Sequence, residues 1–130
     1  MPLDRRTIEV PTIYPMTWQY STAISVRGGR TLYISGIIGA RPDGSIPVGD
    51  IAAQAEYTYA NILKVVEAAG GSARNIVKTI EYVTPAGLPR YKEVAGVRTK
   101  LLAEPYPAST GLVCEALLRP EMQIEVDPFA

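Results

Sequence analysis

The chain has 130 residues, 47% hydrophobic and 20% charged, with 13 Lys plus Arg balancing 13 Asp plus Glu for a net charge of zero. That is one domain with enough apolar material to bury a core, a globular rather than disordered composition, and no charge excess to steer it onto nucleic acid. There are no histidines and one cysteine, Cys114, which excludes Ser-His and Cys-His nucleophiles, leaves any metal site only carboxylates and one thiol, and rules out an internal disulfide.

Residues 1–18 carry Pro2, Pro11 and Pro15 among mixed polarity and predict an irregular arm on a single domain spanning 1–130. MPLDRRTIEV has no apolar run behind its arginines and no later stretch reaches transmembrane length, so neither a signal peptide nor a membrane partner is expected. With a lone cysteine, the expected compartment is the cytoplasm. QYSTAISV alternates, Tyr20, Thr22, Ile24 and Val26 against Ser21, Ala23 and Ser25, and predicts a strand. RGGR supplies a turn and TLYISGII a paired strand, which makes a hairpin; Gly36 inside it marks a bulge or a close backbone approach.

GARPDGSIPVG is a loop built on Pro42, Asp43 and Gly44. Asp50 then caps a helix from Ile51 to Ala69, whose apolar positions Ala55, Tyr59, Ile62, Leu63, Val66 and Ala69 recur at helical spacing before Gly70-Gly71. NIVKTIEYVT, rich in β-branched residues, predicts a strand closed by Pro85. LPRYKEVAGVRTKLLAE places Tyr91, Val94, Val97, Leu101 and Leu102 on one side and predicts a second helix despite Gly96. Two strands follow, around 109–117 and 122–127, joined at LRPE. The order β-β-α-β-α-β-β predicts an α+β domain with a mixed sheet and both helices on one face. The other face, with Ser21, Ala23, Ser25, Tyr33 and Ser35, meets solvent or a symmetric copy.

On the residues alone, Glu125 between Ile124 and Val126 is a strand acid facing water, Cys114 a buried small hydrophobe, and Arg5-Arg6 a solvated pair. Tyr14, Trp18, Tyr20, Tyr57 and Tyr59 offer aromatic surface for a ring-derived ligand, or ordinary core and interface packing.

The run YISGIIGARPDGSIPVGDIAAQAEYTYANILKVVEAAGGSARNIVKTIEYVT, followed by YPAST and QIEVD, resembles the RidA/YjgF family of enamine and imine deaminases over roughly residues 20–130. The resemblance implies a chorismate-mutase-like α+β fold, a homotrimer, and a small-molecule pocket in each cleft between subunits, with no cofactor or metal. It also implies hydrolysis of reactive enamines or imines such as 2-aminoacrylate to a keto acid and ammonia. Carried over by position, it implies a pocket tyrosine at Tyr20, a ligand-side hydroxyl and amide at Ser35-Gly36, and the water-handling glutamate at Glu125.

The family's carboxylate-binding arginine follows a Pro-Ala pair, where PAST here puts Ser109. A hydroxyl matches neither the charge nor the reach of a guanidinium fork. The expected substrate is therefore not 2-aminoacrylate but an aminomuconate-like or other pathway-specific compound. Ser109 and Thr110 are expected to hydrogen-bond it, and Arg119 in the LLRPEM turn to offer a positive charge from another direction. A family asparagine on the second helix is lost near Ala95. Imine hydrolysis needs water delivered to an electrophilic carbon and a proton given to the departing amine, and one carboxyl in a partly dry cleft can do both in turn. Glu125 is thus the expected catalytic residue. The alternative is a non-catalytic small-molecule-binding or regulatory protein on the same trimeric scaffold.

Overall fold

The computed structural model describes residues 4–13 and 20–130; Pro2, Tyr14, Pro15 and Trp18 lie outside them. In chain order the elements are β1 (Asp4–Ile8), β2 (Ala23–Arg27), β3 (Ile37–Ile38), α1 (Ile51–Ala68), β4 (Lys78–Val83), α2 (Val94–Leu101), β5 (Ala108–Val113) and β6 (Ile124–Phe129). Short 3-10 segments at Ala73–Asn75 and Leu88–Glu93 precede β4 and α2. From β2 onward the order is the predicted β-β-α-β-α-β-β.

α1 begins where Asp50, in extended backbone, accepts the Ala53 N–H at 3.1 Å and so satisfies one of the first-turn donors. Ile51, Ala55, Tyr59, Ile62 and Val66 form its buried stripe. Each large apolar side chain buried in this way contributes about 1.5–3 kcal/mol. The helix stops at Gly70, whose φ of 89° suits a residue without a Cβ.

The main sheet has the order β3-β6-β4-β5, with β4 antiparallel to β6 and parallel to β5. Along β4, Thr79, Glu81 and Val83 are buried under the helices, while Lys78, Ile80 and Tyr82 face the uncovered side. Val94 and Val97 of α2 join the α1 stripe, Ile124 and Val126 in one core. Among the described residues no helix is long and apolar enough to cross a membrane.

Three pairings differ from expectation. The arm predicted to be irregular carries β1, which pairs antiparallel with β2 from Asp4↔Arg27 to Ile8↔Ala23 as a separate two-stranded ribbon. It is tied down by Arg5, which donates to the carbonyls of Arg74 (2.7 Å), Ile76 (3.0 Å) and Pro105 (2.8 Å).

The predicted hairpin between QYSTAISV and TLYISGII does not form. Gly28 and Gly29, at φ 86° and 72°, turn the chain, but Leu32 then exchanges backbone hydrogen bonds with Ala130 (2.6 and 3.2 Å), and Tyr33 bridges Phe129. Lying along β6 lets Leu32, Ile34 and Ile37 join the core, which pairing with the largely exposed β2 would not.

The last two strands are not neighbours either, because β4 lies between them. The chain returns from β4 to β5 through α2, and such a crossover makes the two strands parallel.

Candidate active site

β6 alternates cleanly. Ile124, Val126 and Pro128 are buried, and Glu125, Asp127 and Phe129 point to the uncovered face. Pairing with β4 and β3 places Glu125 opposite Tyr82 on one side and Ile38 on the other. A one-residue slip would drive the acid into the core and Val126 out of it, so burial locks the register. Gln54 sets the height of this strand from α1: its side chain donates to the carbonyls of Pro47 (2.8 Å) and Glu121 (2.9 Å) and accepts the Gln123 N–H (2.7 Å).

Gly36, just before β3, faces Glu125 directly. A Cβ built there would overlap Glu125 Oε2 and lie 3.1 Å from its Cδ. The empty side-chain position is what gives the carboxylate its place, so the close backbone approach expected at Gly36 is made to this acid. Ser35 beside it is exposed. Thr110 shares the same sheet face on β5, where its hydroxyl accepts from Lys78 Nζ at 2.9 Å.

Tyr20 and Ser109 go elsewhere. Ser21 pairs with Ala108 and donates its N–H to the Pro107 carbonyl at 2.9 Å, which holds Tyr20 at the entry to β5. Thr79 is buried under the helices, and its hydroxyl bonds Ser109 Oγ at 3.0 Å, so Ser109 belongs to the helix side of the sheet. Tyr20 and Ser109 line a cavity of about 480 Å³ with Leu88, Pro89, Tyr91, Lys92, Arg98 and Gly111. Gly111 keeps room for Tyr91, whose hydroxyl would stand 2.5 Å from an added Cβ.

Behind this cavity lies a buried polar cluster. The carboxylate of Glu81, fully buried on β4, accepts hydrogen bonds from the phenols of Tyr59 on α1 and Tyr91 (2.5 Å), and Arg98 Nη2 of α2 stands 3.3 Å away. Burial first, and the Glu81 charge second, push both phenols above the ordinary tyrosine range, so they stay protonated and remain donors. Arg98 is 3% exposed, and its buried Nε has no hydrogen-bond partner among the described residues.

The two sets lie on opposite faces of one sheet. Ser109 pairs with Thr79, three positions along β4 from Tyr82, the partner of Glu125, and an odd separation means opposite faces. Glu125 thus has Gly36 and Thr110 on its face, and Tyr20 and Ser109 on the other. Arg119 joins neither group: its guanidinium holds Glu121 (Nε to Oε1, 2.7 Å) and the Gly44 carbonyl (2.8 Å).

Residues 13–130 match the family described as Endoribonuclease L-PSP. The chain belongs to this family, also called RidA/YjgF. Over 129 residues, 98% of this chain and 90% of the relative, it is 30% identical to the human protein named 2-iminobutanoate/2-iminopropanoate deaminase.

Among solved structures it is similar to the conserved Rid-family protein YyfB of Yersinia pestis, with a TM-score of 0.82 and 28% identity over 97% of each chain. It is also similar to RidA from an Antarctic Psychrobacter species, with a TM-score of 0.70 and 32% identity over 95% of this chain and 97% of that one. The mixed sheet with two helices on one face is the L-PSP, chorismate-mutase-like α+β fold of these neighbours.

Sequence reasoning missed Glu81, and with it the Glu81–Arg98 pair, within this Rid-family chain. One signal was available: Glu81 shares its strand parity with Val83 and Thr79, so it points where the strand buries its side chains.

Proposed function

We propose that this Rid-family protein is a hydrolytic deaminase of a reactive enamine or imine, releasing ammonia and a carbonyl product, with Glu125 handling the water in a cleft between copies of a homotrimer. The observation that carries the reading is Glu125 seated in the space left by Gly36, with no ion-pair partner among the described residues. The 30% identity to a protein named an imino-acid deaminase supports it.

In this mechanism an enamine first gains a proton on carbon to become the iminium ion. Water then attacks the C=N carbon while the Glu125 carboxylate takes its proton, giving a carbinolamine. The resulting carboxylic acid protonates the nitrogen, the C–N bond breaks with loss of ammonia, and the remaining hydroxyl loses its proton as the carbonyl forms. One acid serves in both directions, while the Ser35 hydroxyl and Gly36 backbone beside it orient the water or substrate.

The split between the sheet faces supports the intersubunit cleft. A site that uses both Glu125 and the Tyr20–Ser109 cavity joins two copies of the chain, and Tyr33 and Leu112 leave apolar surface exposed for a copy to cover. With Ser109 where the family has its arginine, the substrate is an aminomuconate-like or pathway-specific compound rather than 2-aminoacrylate. A ribonuclease reading, despite the family's name, has neither net positive charge for steering nor histidine for acid-base work.

Replacing Glu125 by Gln keeps shape and removes the base, so ammonia release should fall about 10²-fold or more with assembly unchanged. Unchanged turnover would sink the proposal. A second reading, a non-catalytic binding or regulatory protein, draws on a cavity lined without any contribution from Glu125. It predicts a retained ligand with no turnover of any imine.

A further inference from the structure

We infer that the cavity between the β1–β2 ribbon and the C-terminal end of α1 binds a small phosphate monoester, with Arg30 and the Asn75 amide holding the phosphate and the valines of the lining receiving an apolar group attached to it. The site goes beyond the deaminase reading and is independent of it.

This cavity, of about 490 Å³, is as large as the Tyr20–Ser109 cavity and shares no lining residue with it. Three parts of the chain build its walls: the Gly28-Gly29 turn after β2, the Gly70-Gly71 stop of α1, and Asn75 with Val77 at the entry to β4. Glycine at both turns leaves backbone rather than side chain on the wall, so a ligand can approach the main chain closely.

The lining offers donors in excess. Arg30 Nη2 donates to the Ala69 carbonyl at 3.2 Å, the one hydrogen bond of that side chain among the described residues, and a guanidinium has five N–H donors. Asn75 spends its oxygen on the cap of its own segment, where Oδ1 accepts the Ser72 N–H at 2.8 Å. Its amide nitrogen, with two donors, has no partner among the described residues. Thr31 adds a hydroxyl, and no acidic side chain lines the cavity among the described residues. Ala130 at its edge is turned to Leu32, whose N–H its oxygen accepts at 2.6 Å.

The surroundings are cationic although the whole chain is neutral. Arg27 follows Val26 of the lining, Arg74 precedes Asn75, and neither they nor Arg30 and Arg5 form an ion pair among the described residues. Arg5, opposite Val26 in the ribbon, donates to the Arg74 and Ile76 carbonyls and so fixes the segment that carries Arg74 and Asn75. Burial first, and the Arg74 charge second, hold Arg5 below the usual arginine range. Asp4 of the ribbon is taken by Arg6, and Glu67 of α1 is exposed outside the lining. Like charges gathered without offsetting acids concentrate anions, and a guanidinium fork matches phosphate oxygens in pairs. The space exceeds a bare phosphate, and Val26, Leu32, Val66 and Val77 give the remainder an apolar wall.

The test is a titration of the 15N-labelled chain with phenyl phosphate, followed by amide NMR, alongside inorganic phosphate and benzyl alcohol. Saturable shifts are expected at the Gly28, Gly29, Gly70 and Gly71 amides, with phenyl phosphate bound about tenfold or more tighter than either comparison compound. Arg30→Gln should weaken it by about tenfold. Asn75→Asp keeps the oxygen that caps Ser72 but replaces the amide by an anion, and should weaken it at least as much. Arg6→Gln, on the opposite face of the ribbon from Arg5, should change the affinity by under about twofold.

No saturable shift at those four glycines, shifts centred on Gly111 of the other cavity, or an affinity unmoved by both Arg30→Gln and Asn75→Asp overturns the site. A loss in Arg6→Gln as large as that in Arg30→Gln also overturns it, because diffuse surface charge would then account for the binding.

Discussion

Gly36→Ala is the sharpest test of the acid's placement. Gly36 has no positive φ, so alanine suits the backbone, and the new methyl meets only the far end of a flexible side chain. Folding should therefore be little affected, with up to about 0.4–1 kcal/mol gained by restricting the unfolded chain. The carboxylate itself must move. A Cβ that overlaps Oε2 and lies 3.1 Å from Cδ leaves the group about 1 Å short of the ordinary ~3.5 Å contact. A misplacement of about 1 Å in a catalytic group costs on the order of 10²-fold in rate, or about 2.7 kcal/mol of barrier.

The assay is ammonia release above spontaneous hydrolysis, from imino acids formed in situ, with circular dichroism and sedimentation confirming the fold and assembly. A turnover number within about threefold of wild type, with the fold intact, would show that the position of Glu125 does not matter and would refute the reasoning.

Two further outcomes follow from the buried cluster. Glu81→Ala leaves Arg98 buried without its partner and should cost about 3–5 kcal/mol, whereas Glu81→Val with Arg98→Met should recover most of that, as read by thermal melts. The cluster should also make the protein sensitive to alkali. Below the ordinary tyrosine value of 10.0 both folded and unfolded chains keep their phenol protons and the contribution of Tyr59 and Tyr91 is complete. As pH rises above 10.0 only the unfolded chain loses them, so stability falls up through the raised folded values. Urea midpoints between pH 9 and 11 should decline, and Tyr91→Phe should flatten the slope.

What the sequence revealed was local. Asp50, the apolar spacing and Gly70 predicted a helix from 51 to 69, and the helix runs Ile51–Ala68, because capping and periodicity act within a few residues. Strand existence was legible for the same reason, as the alternation of β6 shows. Strand partners were not: Leu32 finds Ala130 and Asp4 finds Arg27 through contacts far apart in the chain, which no adjacent pattern records. The candidate site divides in the same way. The acid at Glu125 was visible through a family motif, and its neighbour Gly36 with it. Glu81 looked like one acid among β-branched neighbours, and nothing in the local pattern aimed Arg98 at it. Their meeting exists only once α2 has folded over β4.

The placement of Glu125 and Ser109 on opposite faces of one sheet carries a genetic consequence. If each cleft draws its acid from one copy and its Tyr20–Ser109 cavity from the next, then Glu125→Gln and Ser109→Asp damage different halves of it. Two inactive alleles expressed together would build mixed assemblies in which some clefts inherit an intact half from each parent. Such a protein would be scored as two complementing loci, although a single short chain encodes both.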